Sequence, residues 1–285
     1  MKLSVCVVHY HSEKDLEHFL HSFFLHRPDF LHEVIVVDNG STHPHFHKHL
    51  QNQFGHWVQV IPSEQNVGFG AAQNKAVRRA KGEYVFLCNP DIRVHDASFR
   101  RLLHFADRLG DFGVIGPRLL HPDGEVQASC RRFPRLRDLF LKRIPFLKRR
   151  ATRYLMKNVD LQQPIEVDWL VGAAMLMKRD RFLEVKGFDE QFFLFFEDTD
   201  LCRRLKEKGY GVWYHPHASF IHPRMRLSDS SFPGMWLFKK TFWIHLGSAW
   251  KYFAKWGVGK GRKDLKDLNG LNGRKDGRPD AASSF

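Results

Sequence analysis

The feature that most constrains this chain is an alternation of two periodicities. The β-branched runs Leu3 to His9 (LSVCVVH) and Glu33 to Val37 (EVIVV) flank a segment in which Leu16, Phe19, Leu20, Phe23 and Phe24 recur at helical spacing. Continuous apolar runs of this length suit buried strands, and the 3.6-residue period suits an amphipathic helix, so the order reads strand, helix, strand. Val58 to Ile61 and Tyr84 to Cys88 (YVFLC) predict two further strands, with a helix over Ala71 to Arg79 between them. Strands and helices that alternate in this way predict a doubly wound α/β domain with a mostly parallel sheet. Ligands of such sheets bind beyond the carboxyl ends of the strands. Asp38, Asn39, Gly40 and Ser41 follow one predicted strand there, and Asn89, Pro90 and Asp91 follow another, so both clusters should face one crevice.

Farther on, an apolar run spans Asp168 to Lys178, and Gly187-Phe188-Asp189 opens a Phe-rich stretch to Phe196 that leads into a charged helix beginning near Glu197. The 285 residues suffice for a full core, and 43% hydrophobic with 27% charged residues is a globular composition. No stretch approaches the roughly 20 apolar residues of a spanning helix, and the apolar run in Met1 to Tyr10 is too short for a signal peptide. A cytoplasmic protein is therefore expected. Cys6, Cys88, Cys130 and Cys202 form no CxxC pair and read as reduced, structural thiols.

Five segments carry chemistry in fixed order: VVDNGST (Val36 to Thr42), NVGFGAAQN (Asn66 to Asn74), CNPD (Cys88 to Asp91), GFDEQFFLFFEDTDLCRR (Gly187 to Arg204) and His222. Together they resemble family-two glycosyltransferases, and within them the bacterial rhamnosyltransferase-like branch. The resemblance runs from about Leu3 to His222 and implies a GT-A fold. It divides the chain into a catalytic domain over 1–225, with a nucleotide-binding half (1–125) and an acceptor-side half (126–225), then a helical segment over 226–256 and a disordered tail over 257–285. The donor nucleotide would meet His9, Tyr10, Asp38, Asn39, Asn66, Gly68, Phe69, Gly70, Asn74, Asn89 and Pro90, with Asp38 on the base. Asp91 and His222 would hold Mg2+ or Mn2+, and Trp169, Gly172 and Ala173 would line the acceptor side. His9 and His11 stand where the family usually has Asn, Asn89 where its stricter form has Asp, and Lys186 where a Gly often precedes the GFDE motif.

The implied chemistry is inverting transfer from a nucleotide-diphosphate sugar to an acceptor hydroxyl, with one carboxylate as base and a cation on the diphosphate. The resemblance gives the base to Asp198, with Glu197 as the alternative. Asp200 is left to cap the helix or to pair with Arg204 four residues on. The rhamnosyltransferase-like motifs point first to deoxythymidine-diphosphate-rhamnose, with uridine- or guanosine-diphosphate hexoses as alternatives, and to a cell-envelope glycan, such as the lipopolysaccharide O-antigen, as a lipid-linked acceptor.

A net charge of +14 favours polyanionic surroundings. Ten Lys or Arg and one acid, Asp138, lie between Arg131 and Arg153 among Phe133, Phe140, Ile144 and Phe146, as suits anionic lipid. A helix drawn from Phe232 to Trp256 gathers Trp236, Phe242, Trp243, Leu246, Trp250 and Phe253 on one face and Lys240, Lys251 and Lys255 on another. It reads either as an interfacial helix holding the enzyme on the inner face of the cytoplasmic membrane, or as a helix packed on the catalytic domain or a second subunit. His43, His45, His47 and His49 alternate, diverge on a helix and predict a solvated face rather than a zinc site. His215 and His217 read as structural. A basic nucleic-acid-binding protein is the rival class; no reading element for specific nucleic acid is recognisable.

Overall fold

The computed structural model describes residues 1–30, 32–41, 44–136, 138, 154–156, 159–223 and 240–257. The chain order is β1 (Leu3–His9), α1 (Glu13–Leu25), β2 (His32–Asp38), α2 (Pro44–Phe54), β3 (Val58–Pro62), α3 (Phe69–Arg79), β4 (Tyr84–Cys88), β5 (Arg93–Val94), α4 (Ser98–Leu109) and β6 (Val114–Leu120). It continues through β7 (Cys130–Arg131), β8 (Ile165–Glu166), β9 (Trp169–Leu170), β10 (Ala174–Lys178), α5 (Arg179–Glu184), α6 (Glu197–Glu207), β11 (Val212–Ile221) and α7 (Lys240–Trp256). The predicted strands and helices of the first hundred residues are all present, with α3 beginning two residues earlier than expected.

Strands run β3-β2-β1-β4-β10-β6-β11-β5 across the main sheet, with β8 beside β11, while β7 and β9 form a separate ribbon. The β3, β2, β1 and β4 neighbours are parallel, as are β6 and β11, whereas β10 is antiparallel to both β4 and β6. The two halves of 1–225 therefore share one sheet, because β10 of the second half is inserted between β4 and β6 of the first. The chain moves outward from β1 to β3 and then crosses back to β4 on β1's other side. This reversal puts the topological switch point at the carboxyl ends of β1 and β4, where ligands of such sheets bind.

Two apolar layers sandwich the sheet. On one face α1 buries Leu16, Phe19, Leu20 and Phe23, the residues its period picks out. There Phe86, Phe99 and Phe220 meet in edge and stacked contacts 4.9–5.2 Å between centroids, each fully buried ring contributing roughly 1.5–3 kcal/mol. On the other face Ala72, Ala76 and Val77 of α3 join Phe182 and Phe188 with Leu201 and Leu205 of α6. All four cysteines are buried free thiols.

Candidate active site

The donor side is built at the ends of β1 and β2, where His9 and Asp38 are register partners. Asp38 is almost wholly buried. Its Oδ1 accepts the Ser41 N–H at 2.9 Å, and its Oδ2 meets His47 Nε2 at 2.5 Å. Burial pushes this carboxyl up, but the hydrogen bonds from Ser41 and His47 outweigh it and hold Asp38 below the usual carboxylate range. His9 is buried beside it, and burial keeps its imidazole below the ordinary histidine value against the pull of Asp38 and Glu13. Ser12 N–H donates to His9 Nδ1, so the ring proton sits on Nε2. Tyr10 is half exposed just past the end of β1, its ring 4.5 Å from that of His11.

Several residues expected at the nucleotide carry loop architecture. Asn39 Nδ2 donates to Asn66 Oδ1 at 3.0 Å and to the Gly68 carbonyl, while its Oδ1 accepts Val67 N–H. This laces the β2 and α3 entry loops together. A Cβ on Gly68, whose φ is +90°, would lie 2.4 Å from the Phe193 carbonyl oxygen, and one on Gly70 would lie 2.8 Å from Phe188 Cβ. The glycines therefore admit the close approach of Phe188 and Phe193. Phe69 N–H donates to that same Phe193 carbonyl at 3.1 Å. Asn74 is committed most fully: it accepts Phe188 N–H, donates to Phe188 O, and reaches Glu190. Its amide anchors the GFDE turn through both of its ends.

Past β4, Asn89 N–H donates to the Ala173 carbonyl at 3.0 Å, and the half-buried Pro90 leads into Asp91. Asp91 Oδ1 is buried with no hydrogen-bond partner, and His222 Nε2 lies 3.5 Å from it. On the far side of that ring, His222 Nδ1 lies 2.9 Å from Gln127 Oε1. An amide oxygen only accepts, so Nδ1 carries a proton, and in the neutral ring Nε2 offers a lone pair beside the Asp91 carboxylate oxygen. These are the donors a divalent cation needs, although the described residues contain no set of three metal-ligating side chains. The remaining positions would fall to ligand oxygens and water, the usual arrangement for Mg2+ bound with phosphates. No motif flagged Gln127, which approaches His222 across 95 residues.

Glu197 and Asp198 open α6. Phe195 and Phe196, just before them, both have φ of +69°, a left-handed conformation that side-chain-bearing residues rarely adopt. Asp198 Oδ2 accepts Gly172 N–H at 2.9 Å and its Oδ1 accepts Thr199 N–H at 2.6 Å. Burial raises this carboxyl above its ordinary value, opposed by those bonds and by the Arg131 charge. Glu197 is more deeply buried, its Oε2 has no hydrogen-bond partner, and burial followed by the Asp198 charge pushes it well up. Asp198 is thus the more accessible and better hydrogen-bonded of the two carboxyls, and Glu197 the one whose charge burial penalises more. Asp200 makes no cap bond; it pairs with Arg204 at 2.7 Å and also holds Lys255 Nζ and Trp256 Nε1, each at 2.8 Å.

The acceptor-side expectations divide. Gly172 and Ala173 are at the site through their backbone bonds to Asp198 and Asn89. Trp169 is buried, its Nε1 donates to Arg132 O, and the Arg131 guanidinium covers its ring at 5.1 Å, so the indole is no open platform for a sugar. Arg131, seen in sequence only as part of a basic run, is the cation closest in charge effect to Asp198.

Helix α7 settles on the catalytic unit through one face. Ala249, Tyr252 and Phe253 pack on Phe192 and Phe196, and His245 meets the rings of Phe195 and Phe196 at 5.0 and 5.4 Å. Another face leaves Trp243 61%, Leu246 42% and Trp250 73% exposed. Phe242, Trp243 and Phe253 therefore do not share a single outward stripe. The expected helix residues 232–239, including Trp236, lie outside the described residues, as do the tail from 258 and basic residues 139–153. Among the described residues no helix is long and apolar enough to cross a membrane. The solvated-face expectation for α2 fails at His47, which turns inward to Asp38, and holds for the exposed His45 and for His49, which is exposed while meeting Glu17 at 3.3 Å; His43 lies outside the described residues. His215 is structural, stacked on Phe105 at 4.3 Å with burial holding its imidazole down at about 4.

Comparison with known proteins adds an independent line. The family description "Glycosyl transferase family 2" matches residues 4–182, and "N-terminal domain of galactosyltransferase" matches residues 153–226. An N-acetylglucosaminyl-diphospho-decaprenol L-rhamnosyltransferase of Mycobacterium tuberculosis is 32% identical over 237 residues, 77% of this chain and 75% of that protein. The rhamnosyltransferase WbbL of Escherichia coli is 29% identical over 196 residues, 66% and 70% of the two chains. Among solved structures, GalNAc-T7 crystallised with UDP, GalNAc and Mn2+ superposes with a TM-score of 0.61 at 17% identity, over 82% of this chain and 45% of the other. At that identity the likeness speaks for the shared fold alone.

Proposed function

The chain belongs to glycosyl transferase family 2 and is a glycosyltransferase with a GT-A-like fold, and we propose that it is an inverting, metal-dependent enzyme that moves rhamnose from deoxythymidine-diphosphate-rhamnose to a hydroxyl of a lipid-linked cell-envelope glycan. One observation carries this reading. The β9–β10 turn hands Ala173 O to Asn89 N–H and Gly172 N–H to Asp198, so a single two-residue backbone link sets the Asn89-Pro90-Asp91 turn against the candidate base. The donor's leaving diphosphate and the acceptor's attacking hydroxyl need such neighbours.

Each residue then has a task. Asp38 accepts an N–H of the nucleotide base. Asp91 and the Nε2 of His222 hold the cation, which when bound neutralises charge on the diphosphate. Asp198 takes the proton from the acceptor hydroxyl as that oxygen bonds to the anomeric carbon and the bond to the nucleoside diphosphate breaks. Burial raises its carboxyl toward the working pH, which favours a general base. The backbone donors Gly172 and Thr199 fix its oxygens without competing for the proton. Inversion follows because the only nucleophile in this scheme is the acceptor.

The M. tuberculosis relative is named for a diphospho-decaprenol acceptor. The exposed Trp243, Leu246 and Trp250 of α7, on a helix with no acidic residue, support a place at an anionic cytoplasmic membrane surface where such an acceptor resides. Calorimetric titration with thymidine, uridine and guanosine diphosphates, with and without Mn2+, tests the donor site. Metal-dependent binding of thymidine diphosphate supports the reading, metal-dependent preference for another base reassigns the donor, and no binding to any of the three rejects it.

A further inference from the structure

We infer that His47 is a positioning residue for nucleotide recognition, acting through Asp38; this rests on the donor-site reading above. Asp38 sits at the end of a parallel strand with only 3% of its side chain exposed, where an unsupported carboxylate is costly to keep ionised and free to turn. Its two oxygens are held from different directions, Oδ1 by Ser41 N–H and Oδ2 by His47 Nε2. Ser41 belongs to the loop that directly follows β2, and its bond is local. The second support arrives from α2, which brings His47, 9 residues on in the sequence, onto Oδ2. A carboxylate's two oxygens offer about four acceptor positions, so these donors aim the group without saturating it.

The helix geometry separates this role from general packing. Residues two apart on a helix point about 200° apart. His47 accordingly faces the strand end, while His49 turns to α1 and meets Glu17 at 3.3 Å. Gln53 makes a second tie to α1 through His21 at 3.0 Å. The α2–α1 ties therefore do not depend on His47. His9, its ring 5.5 Å from that of Phe46 on the same helix, packs the strand end under His47 from the β1 side. The pattern makes α2 part of the donor pocket, which the nucleotide-facing motifs alone do not include.

A recognition role predicts weaker nucleotide affinity with the chemical step intact. In His47→Leu the dissociation constant for the preferred nucleoside diphosphate should rise about tenfold, the effect of losing one charge-assisted hydrogen bond. The KM for donor should rise in parallel, with kcat at saturating donor within twofold. His47→Gln, whose amide N–H can reach the same oxygen, should recover most of the affinity. His49→Leu, equal in chemistry and lacking the Asp38 bond, should bind as the original protein does. Unfolding temperatures of all three check that α2 is intact. Unchanged affinity in His47→Leu, or equal losses in His47→Leu and His49→Leu, overturns the inference while leaving the donor site standing. Absence of nucleotide binding in the unsubstituted protein overturns the donor site and this inference together.

Discussion

The Gly172 amide and the Asp198 carboxylate are joined by a 2.9 Å hydrogen bond across 26 residues. It holds the first turn of α6 against the β9–β10 turn, whose next carbonyl, that of Ala173, holds the start of the Asn89-Pro90-Asp91 turn. Separate motifs thereby become one site. The bond also distinguishes the two adjacent carboxyls, because Asp198 receives backbone donors and Glu197 Oε2 receives none.

Asp198→Asn should lower transfer by about 10²–10⁴-fold, the usual contribution of a general base, while nucleotide affinity stays within twofold. Glu197→Gln, which keeps the shape of a neutral acid, should retain activity within about fivefold. Initial rates at saturating donor, together with calorimetric nucleotide titration, decide between the two. Loss of activity in Glu197→Gln with a competent Asp198→Asn would exchange their roles.

The buried Glu197 also predicts a pH dependence of stability. Burial, and then the Asp198 charge, raises its folded value well above the ordinary one of about 4.3. Its neutral form is therefore bound more tightly in the folded state. That contribution is complete below the unfolded value and is lost, by up to about 1.4 kcal/mol per pH unit, as pH rises toward the folded value. Thermal unfolding between pH 5 and 8 should show Glu197→Gln gaining on the unsubstituted protein as pH rises; a constant difference contradicts a raised Glu197.

Removal of the cation by a chelator should abolish nucleotide binding, and added Mn2+ should restore it. Gln127→Leu leaves Asp91 and His222 in place but frees the His222 ring from its 2.9 Å partner. Loss of such an orienting partner typically weakens metal affinity by 10–100-fold, roughly. Mn2+ titration followed by electron paramagnetic resonance reads this directly, without requiring turnover.

Helix α7 should respond differently on its two faces. Tyr252 is fully buried, meets Phe196 at 5.2 Å between ring centroids and accepts an Arg203 hydrogen bond. Tyr252→Ala should cost about 3–5 kcal/mol and lower activity as well, because the left-handed Phe195-Phe196 turn loses its cover. Trp243→Ser with Trp250→Ser should leave the unfolding temperature within about 2 °C, since both rings are exposed. That pair should instead reduce co-sedimentation with anionic vesicles at least fivefold. Undiminished sedimentation would remove the membrane role from this face.

The sequence by itself determined the local elements and which segments end at the crevice. Strand and helix periods are properties of neighbours two to four residues apart, so β1 through β4 with α1 and α3 could be read directly, and the ordered motifs singled out Asp38, Asp91 and Asp198. Tertiary structure decided which side chains are free to act. Asn74 has the spacing of a ligand residue, but Phe188, 114 positions away, claims both ends of its amide. Trp169 lies in the right run, but Arg131 and the core enclose it. His47, read from its alternating pattern as solvated, and Gln127, which belongs to no motif, meet Asp38 and His222. A side chain's hydrogen-bonding capacity is spent on whatever the fold brings near it, and proximity between distant segments is written in no local period.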